Sequence, residues 1–190
     1  MACGEVGNPR VRAVATLGGA IVHGDPRQDV PPVLLALRAR LEAVSRGGRR
    51  EIALADFFLG FMETALEEDE IVTKVTIPAR VGWRDAYHRF TPGSEDDYPT
   101  VAVAVSLLVD DQGQVSDAEI ALGGVDGSAI RAPEAAAALI GSDGGEAAAA
   151  EAARLAVTAC NPSDDQRGSA AYKKDMVEVW TRRTVAACLG

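Results

Sequence analysis

Gly18 and Gly19 stand near the amino end in the run Thr16-Leu17-Gly18-Gly19-Ala20-Ile21-Val22-His23-Gly24-Asp25-Pro26, and Asp29 follows three residues on. A glycine pair is costly inside a strand or helix. It is useful where backbone N–H groups must approach an anion, because no Cβ blocks the way. A bend of that kind suits a phosphate or pyrophosphate. Thr16 adds a hydroxyl, and Asp29 adds a carboxylate able to accept bonds from sugar or ribityl hydroxyls. The same glycines would also make a tight turn between core elements, and His23 would then be a surface residue of a Gly-Asp-Pro turn. The pattern is neither the dinucleotide fingerprint Gly-x-Gly-x-x-Gly nor a P-loop, which requires Gly-Lys-Ser/Thr.

Elsewhere the chain offers no catalytic constellation. His23 and His88 are the two histidines, too few and too far apart for a metal site. Cys3, Cys160 and Cys188 are an odd set without a Cys-x-x-Cys, which fits neither a disulfide framework nor a zinc or iron–sulfur site. They read as reduced thiols of a cytoplasmic protein. The acid runs Glu67–Glu70 and Glu95–Asp97 read as solvated surface.

The 190 residues suit one large domain or two small ones, with 47% apolar and 25% charged residues as in a globular protein. A net charge of −9 argues against nucleic acid or an anionic membrane as partner. No apolar run is long enough for a membrane span, and residues 1–5 lack the features of a signal peptide.

Residues 1–12 read as a lead-in with a turn at Gly7-Asn8-Pro9. Pro31-Pro32 opens an expected helix, with Val33, Leu37, Leu41 and Val44 at helical spacing, that stops at Ser45–Gly48. A short strand over 50–54 and an apolar loop over 56–60 follow, then a strand over 71–77. A domain boundary is expected near 79–82, which gives domains 1–79 and 80–190. The second half reads as strands over 83–90, 101–109 and 115–122, then alanine-rich helices over 134–140 and 146–160. A last helix is capped near Ser169, with Tyr172, Met176 and Val179 or Trp180 as its apolar stripe. Strands followed by helices imply an α+β fold with an antiparallel sheet packed by helices.

The run Asn8-Pro9-x-Val11-Arg12-x-x-x-Thr16-Leu17-Gly18-Gly19, with His23-Gly24-Asp25-Pro26-x-x-Asp29 after it, resembles the second FAD-binding segment of a known family. This is the FAD-binding (medium) subunit of molybdenum hydroxylases, as in carbon monoxide dehydrogenase and xanthine dehydrogenase. The resemblance continues through Leu54-Ala55-Asp56-Phe57-Phe58, Glu70-Ile71-Val72, Tyr87-His88-Arg89-Phe90, Asp97-Tyr98, Leu122-Gly123-Gly124-Val125, Ser169–Tyr172 and Arg182-Arg183. It implies that Thr16, Gly18 and Gly19 contact the phosphates or ribityl chain of FAD and that Asp29 approaches the same chain. It sets His23 near the isoalloxazine edge and Ile71 and Val72 on a strand whose backbone nears the ring. It sets Arg89 as a cation near the flavin, where the family often has lysine. The implied partners are a molybdopterin-binding large subunit and an iron–sulfur small subunit.

Some residues depart from the family. Ala20 replaces a usual asparagine, and Pro92-Gly93 replaces a common basic pair. Family members also carry a glycine-rich loop upstream of this segment, whereas here the segment begins at residue 16. The expectation is therefore an oxidoreductase subunit that binds FAD weakly or only in complex, with the other FAD half on a separate chain. The alternatives are a non-flavin assembly module derived from that subunit and a stand-alone binder completed by oligomerisation.

Overall fold

The computed structural model describes residues 2–94 and 96–190, so Met1 and Glu95 of the acidic run lie outside the described residues. The fold is α+β with antiparallel sheets. Three short helices open the chain: α1 (Ala2–Glu5), α2 (Pro9–Val14) and α3 (Leu17–Val22). The expected lead-in is thus helical. Asn8 explains α2, because its side chain accepts from the N–H groups of Arg10 and Val11 while Pro9 fills the first helical position.

Helix α4 (Val30–Ala36) buries Val30, Leu34, Leu35 and Ala36. The sequence suggests one helix running to Val44, but the chain leaves it at Arg38, whose φ is 54°, and enters β1 (Arg40–Ser45). Spacing misleads here because Leu41 lies seven residues after Leu34 and also fits the two-residue period of a strand. In β1 the buried pair Leu41 and Ala43 alternates with half-exposed Glu42.

Strand β1 pairs with β2 (Gly48–Ala53) on one side and β5 (Ile71–Thr76) on the other, giving the order β2-β1-β5. Residues 56–60, expected as a loop, contain the end of a short 3-10 turn and the strand β3 (Phe58–Gly60). This strand pairs with β4 (Glu63–Thr64) in a small hairpin.

The second half is built on β6 (Trp83–Phe90), β7 (Val101–Val109), β8 (Val115–Gly123) and β9 (Ile130–Arg131), antiparallel in that order. Helices α5 (Pro133–Ala137), α6 (Glu146–Ala159) and α7 (Ala170–Leu189) follow. Val101, Val103, Val105 and Leu107 join Ile120, Leu122, Ala152, Val177 and Val185 in one core. The alternate residues Ala104 and Ala121 join α4, Leu41 and Phe57 in another. The sheet is therefore covered on both faces, which is why β7 reads as an unbroken apolar run. Small residues on the α4 side allow close approach: a Cβ at Gly123 would stand 3.2 Å from Pro32 Cγ.

Ser169 caps α7 as expected, accepting from Tyr172 N–H. The inward stripe of that helix is Lys173, Val177, Thr181, Thr184 and Cys188, one position round from the stripe the sequence suggests. Lys173 enters because its ammonium meets Asp165 Oδ2 at 2.8 Å and donates to Ser163 O. The displaced aromatics flank the core instead, where Phe90 contacts both Tyr172 and Trp180. Among the described residues no helix is long and apolar enough to cross a membrane.

Candidate functional site

A cavity of about 510 Å³ opens between α2, α3, the start of α4, strand β6 and the loop carrying Asp97 and Tyr98. Five of the residues singled out in the sequence line it: Thr16, Gly19, His23, Asp29 and Arg89. Gly18 lies beside it in α3. Ile71 and Val72 are not brought to it; they sit on β5, paired with Val44 and Ala43, and Ile71 is 69% exposed.

The glycine pair is not the open bend that its composition suggests. It forms the first turn of α3, and Thr16 Oγ1 accepts from Gly19 N–H at 3.0 Å as the helix cap. Glycine at position 19 has a local cause, since a Cβ there would meet Thr16 Oγ1 at 2.9 Å. Glycine at position 18 has none: a Cβ there would meet no atom within 4 Å. Glycine in a helix costs about 1 kcal/mol relative to alanine, so what Gly18 leaves clear is space outside the folded chain. The first N–H groups of a helix lack intrahelical partners and suit an anion.

Asp29 is buried at the base of the cavity. Tyr87 donates its O–H to Asp29 Oδ1 at 2.6 Å, and Arg89 Nε lies 3.1 Å from the same oxygen. Burial pushes the Asp29 carboxyl above its ordinary value, opposed by the Tyr87 hydrogen bond and the Arg89 charge. Burial likewise raises the Tyr87 phenol, helped by the carboxylate it faces. Arg89 donates to Glu5 O at 2.7 Å and to Asp97 O, so it ties α1 and the 96–98 loop to the sheet.

The Asp97–Tyr98 loop is held from a third side. Arg167 donates to Asp97 Oδ1 at 2.5 Å, which lowers the Asp97 carboxyl. The guanidinium carbons of Arg27 and Arg167 lie 5.3 and 5.8 Å from the Tyr98 ring centre. Sequence reasoning missed Tyr87 and the Tyr98 wall as site-builders. Both lie in quoted stretches, but neither their spacing to Asp29 nor that to Arg27 carries a local signal.

The far end of α4 is also clamped to the sheet. Arg38 donates to both oxygens of Asp117, at 2.8 and 2.6 Å, and to Glu119 Oε1 at 2.7 Å, and Arg131 also holds Glu119. Trp83 lies under Arg38 and Arg80, 5.2 and 3.7 Å from ring centre to guanidinium carbon. The helix that opens at the cavity is thus fixed at both ends.

Residues 1–80 match the FAD binding domain in molybdopterin dehydrogenase, and residues 86–188 match the CO dehydrogenase flavoprotein C-terminal domain. The nicotine 6-hydroxylase medium subunit of Paenarthrobacter nicotinovorans is 39% identical over 182 residues, covering 95% of this chain and 63% of that protein. The carbon monoxide dehydrogenase medium chain of Hydrogenophaga pseudoflava is 33% identical over 185 residues, covering 96% and 63%. The reconstituted CO dehydrogenase from Oligotropha carboxidovorans superposes with a TM-score of 0.93 at 32% identity, covering 97% of this chain and 64% of that one. The chain spans just under two thirds of the length of these relatives.

Proposed function

The chain belongs to the FAD-binding medium subunits of the molybdenum hydroxylases, and on that premise we propose that it carries FAD in the cavity between α3 and β6. In that role it passes electrons from an iron–sulfur partner to an acceptor, beside a molybdopterin-binding large subunit. The observation that carries this reading is the open cavity walled by Thr16, Gly19, Asp29 and Arg89. FAD, when bound, supplies a centre that takes up and releases electrons singly or in pairs.

This chain's residues hold and orient it. The N–H groups at the start of α3, with the clear space at Gly18, take the pyrophosphate. Asp29 has committed Oδ1 to Tyr87 and Arg89, which leaves its other oxygen for a ribityl hydroxyl. Arg89 keeps a positive charge at the cavity wall, where it favours an electron-rich reduced ring. His23 borders the same space. Ile71 and Val72 approach the ring only from across the β5 edge.

The rest of the pyrophosphate cradle comes from sequence outside these 190 residues, so FAD binds weakly to this chain alone and firmly in the complex. Each tenfold in affinity corresponds to about 1.4 kcal/mol, so losing several contacts costs decades. Visible absorbance and FAD titration of the chain, alone and in its complex, test this. The double variant Thr16→Val/Gly18→Val should abolish binding in the complex, and unchanged affinity would remove α3 from the site. Ala20 and Pro92-Gly93 favour a second reading, an assembly module without flavin, and a colourless complex would establish it.

A further inference from the structure

The hairpin β3–β4 ends in the tip Leu59-Gly60-Phe61-Met62, whose three large apolar side chains are 61, 59 and 48% exposed. Its base is anchored: Phe57 is fully buried, Phe58 packs edge-on against it at 5.3 Å, and Ala65 N–H donates to Phe57 O at 2.8 Å. The tip is rigid as well, since Met62 N–H donates to Gly24 O at 3.1 Å. Met62 is held at φ 56°, the left-handed region that disfavours a side chain. Gly24 accommodates it at φ 67°, where a Cβ would stand 3.2 Å from Met62 Cα. A strained methionine beside an exposed phenylalanine and leucine destabilises the isolated chain, and such patches mark protein contacts.

We infer that this tip is the docking surface for the electron-delivering iron–sulfur partner, received in an apolar pocket with a basic rim. The inference rests on the flavin reading above. Its position fits an electron donor, because Gly24, which holds Met62, directly follows the cavity residue His23. Charge decides between occupants. Glu63 at the tip and Asp56, Glu68 and Asp69 at the hairpin base are exposed and form no ion pair among the described residues. A second copy, with its own net charge of −9 and the same acids, would be repelled, whereas a basic rim would be attracted. Aromatic residues and methionine are enriched in such contacts.

The test is association of the chain with the iron–sulfur subunit of its own complex, measured by calorimetry at low and high salt, together with Tm. Met62→Gly removes the side chain and relieves the backbone, so Tm should hold or rise while affinity falls about tenfold or more. Phe61→Ser should weaken binding at least as much with Tm held. Glu68→Lys/Asp69→Lys should weaken it at low salt and lose that effect at high salt. Unchanged affinity in Met62→Gly and Phe61→Ser overturns the inference. Concentration-dependent self-association that Phe61→Ser abolishes also overturns it, in favour of a second copy. A wild-type chain that does not bind the iron–sulfur subunit at all refutes the electron-transfer reading instead.

Discussion

The two faces of strand β7 sort the molecule into unlike halves. On one face Val101, Val103, Val105 and Leu107 meet Leu122, Leu139, Val177 and Val185 in a core closed by three helices. On the other, Ala102 and Ala104 admit α4, and beyond α4 the chain thins into the six-residue helices α2 and α3. There Val11, Val14 and Leu17 stay 45, 81 and 42% exposed. The first region is complete in itself. The second spends its residues on a cavity wall and leaves apolar surface for whatever else encloses the site. The closed half supplies rigidity, and the open half borrows it through α4.

Truncating the core should separate the halves most sharply. Leu122→Ala, fully buried in the helix-covered core, should cost about 3 kcal/mol. In a chain of this size that lowers Tm by roughly 10 °C. Val14→Ser on the exposed turn of α2 should change stability by less than about 0.5 kcal/mol. Denaturant unfolding of both variants measures the contrast. Similar losses would mean that α2 packs as part of the main core.

The closed half was the legible one. Strands 83–90 and 101–109 and the cap at Ser169 match the sequence reading, because period-two apolar runs and capping residues act locally. Lys173 escaped that reading because its inward position depends on Asp165, eight residues away. In the open half the glycines, Thr16 and Asp29 were visible as a candidate site, but the local form was not. Nothing in Thr-Leu-Gly-Gly distinguishes an open bend from a helix capped by its own threonine. The end of α4 was illegible for a similar reason: Arg38 adopts φ 54° because Asp117 and Glu119, some eighty residues on, hold its guanidinium.

That clamp joins the halves, and its removal should have an intermediate effect. Arg38→Ala loses three charged hydrogen bonds and leaves buried Glu119 with Arg131 alone, costing about 2 kcal/mol. Arg38→Gly loses the same bonds but adopts the left-handed backbone freely, so it should be the more stable of the two by about 1 kcal/mol. Hydrogen exchange should quicken in α4 in both variants while β7 stays protected. Equal stability of the two variants would show that the backbone at position 38 is unstrained.

The smallest effect, and the one that tests the cavity itself, is the pH dependence contributed by Asp29. Its carboxyl is raised by burial, despite the Tyr87 hydrogen bond and the Arg89 charge. Between the ordinary value of 3.8 and its own higher value the native state therefore binds more proton than the unfolded chain. The contribution of Asp29 to stability is then full at low pH and is lost as pH rises through that window. Asp117 runs the other way: the Arg38 hydrogen bonds lower it, so its contribution is present above 3.8 and is lost as pH falls. Urea unfolding from pH 4 to 7 should show Asp29→Asn removing a downward slope and Asp117→Asn removing an upward one. If Asp29→Asn instead flattened an upward slope, Arg89 and Tyr87 would outweigh burial. The base of the cavity would then be a stabilising ion pair rather than a carboxylate held at a cost for a ligand.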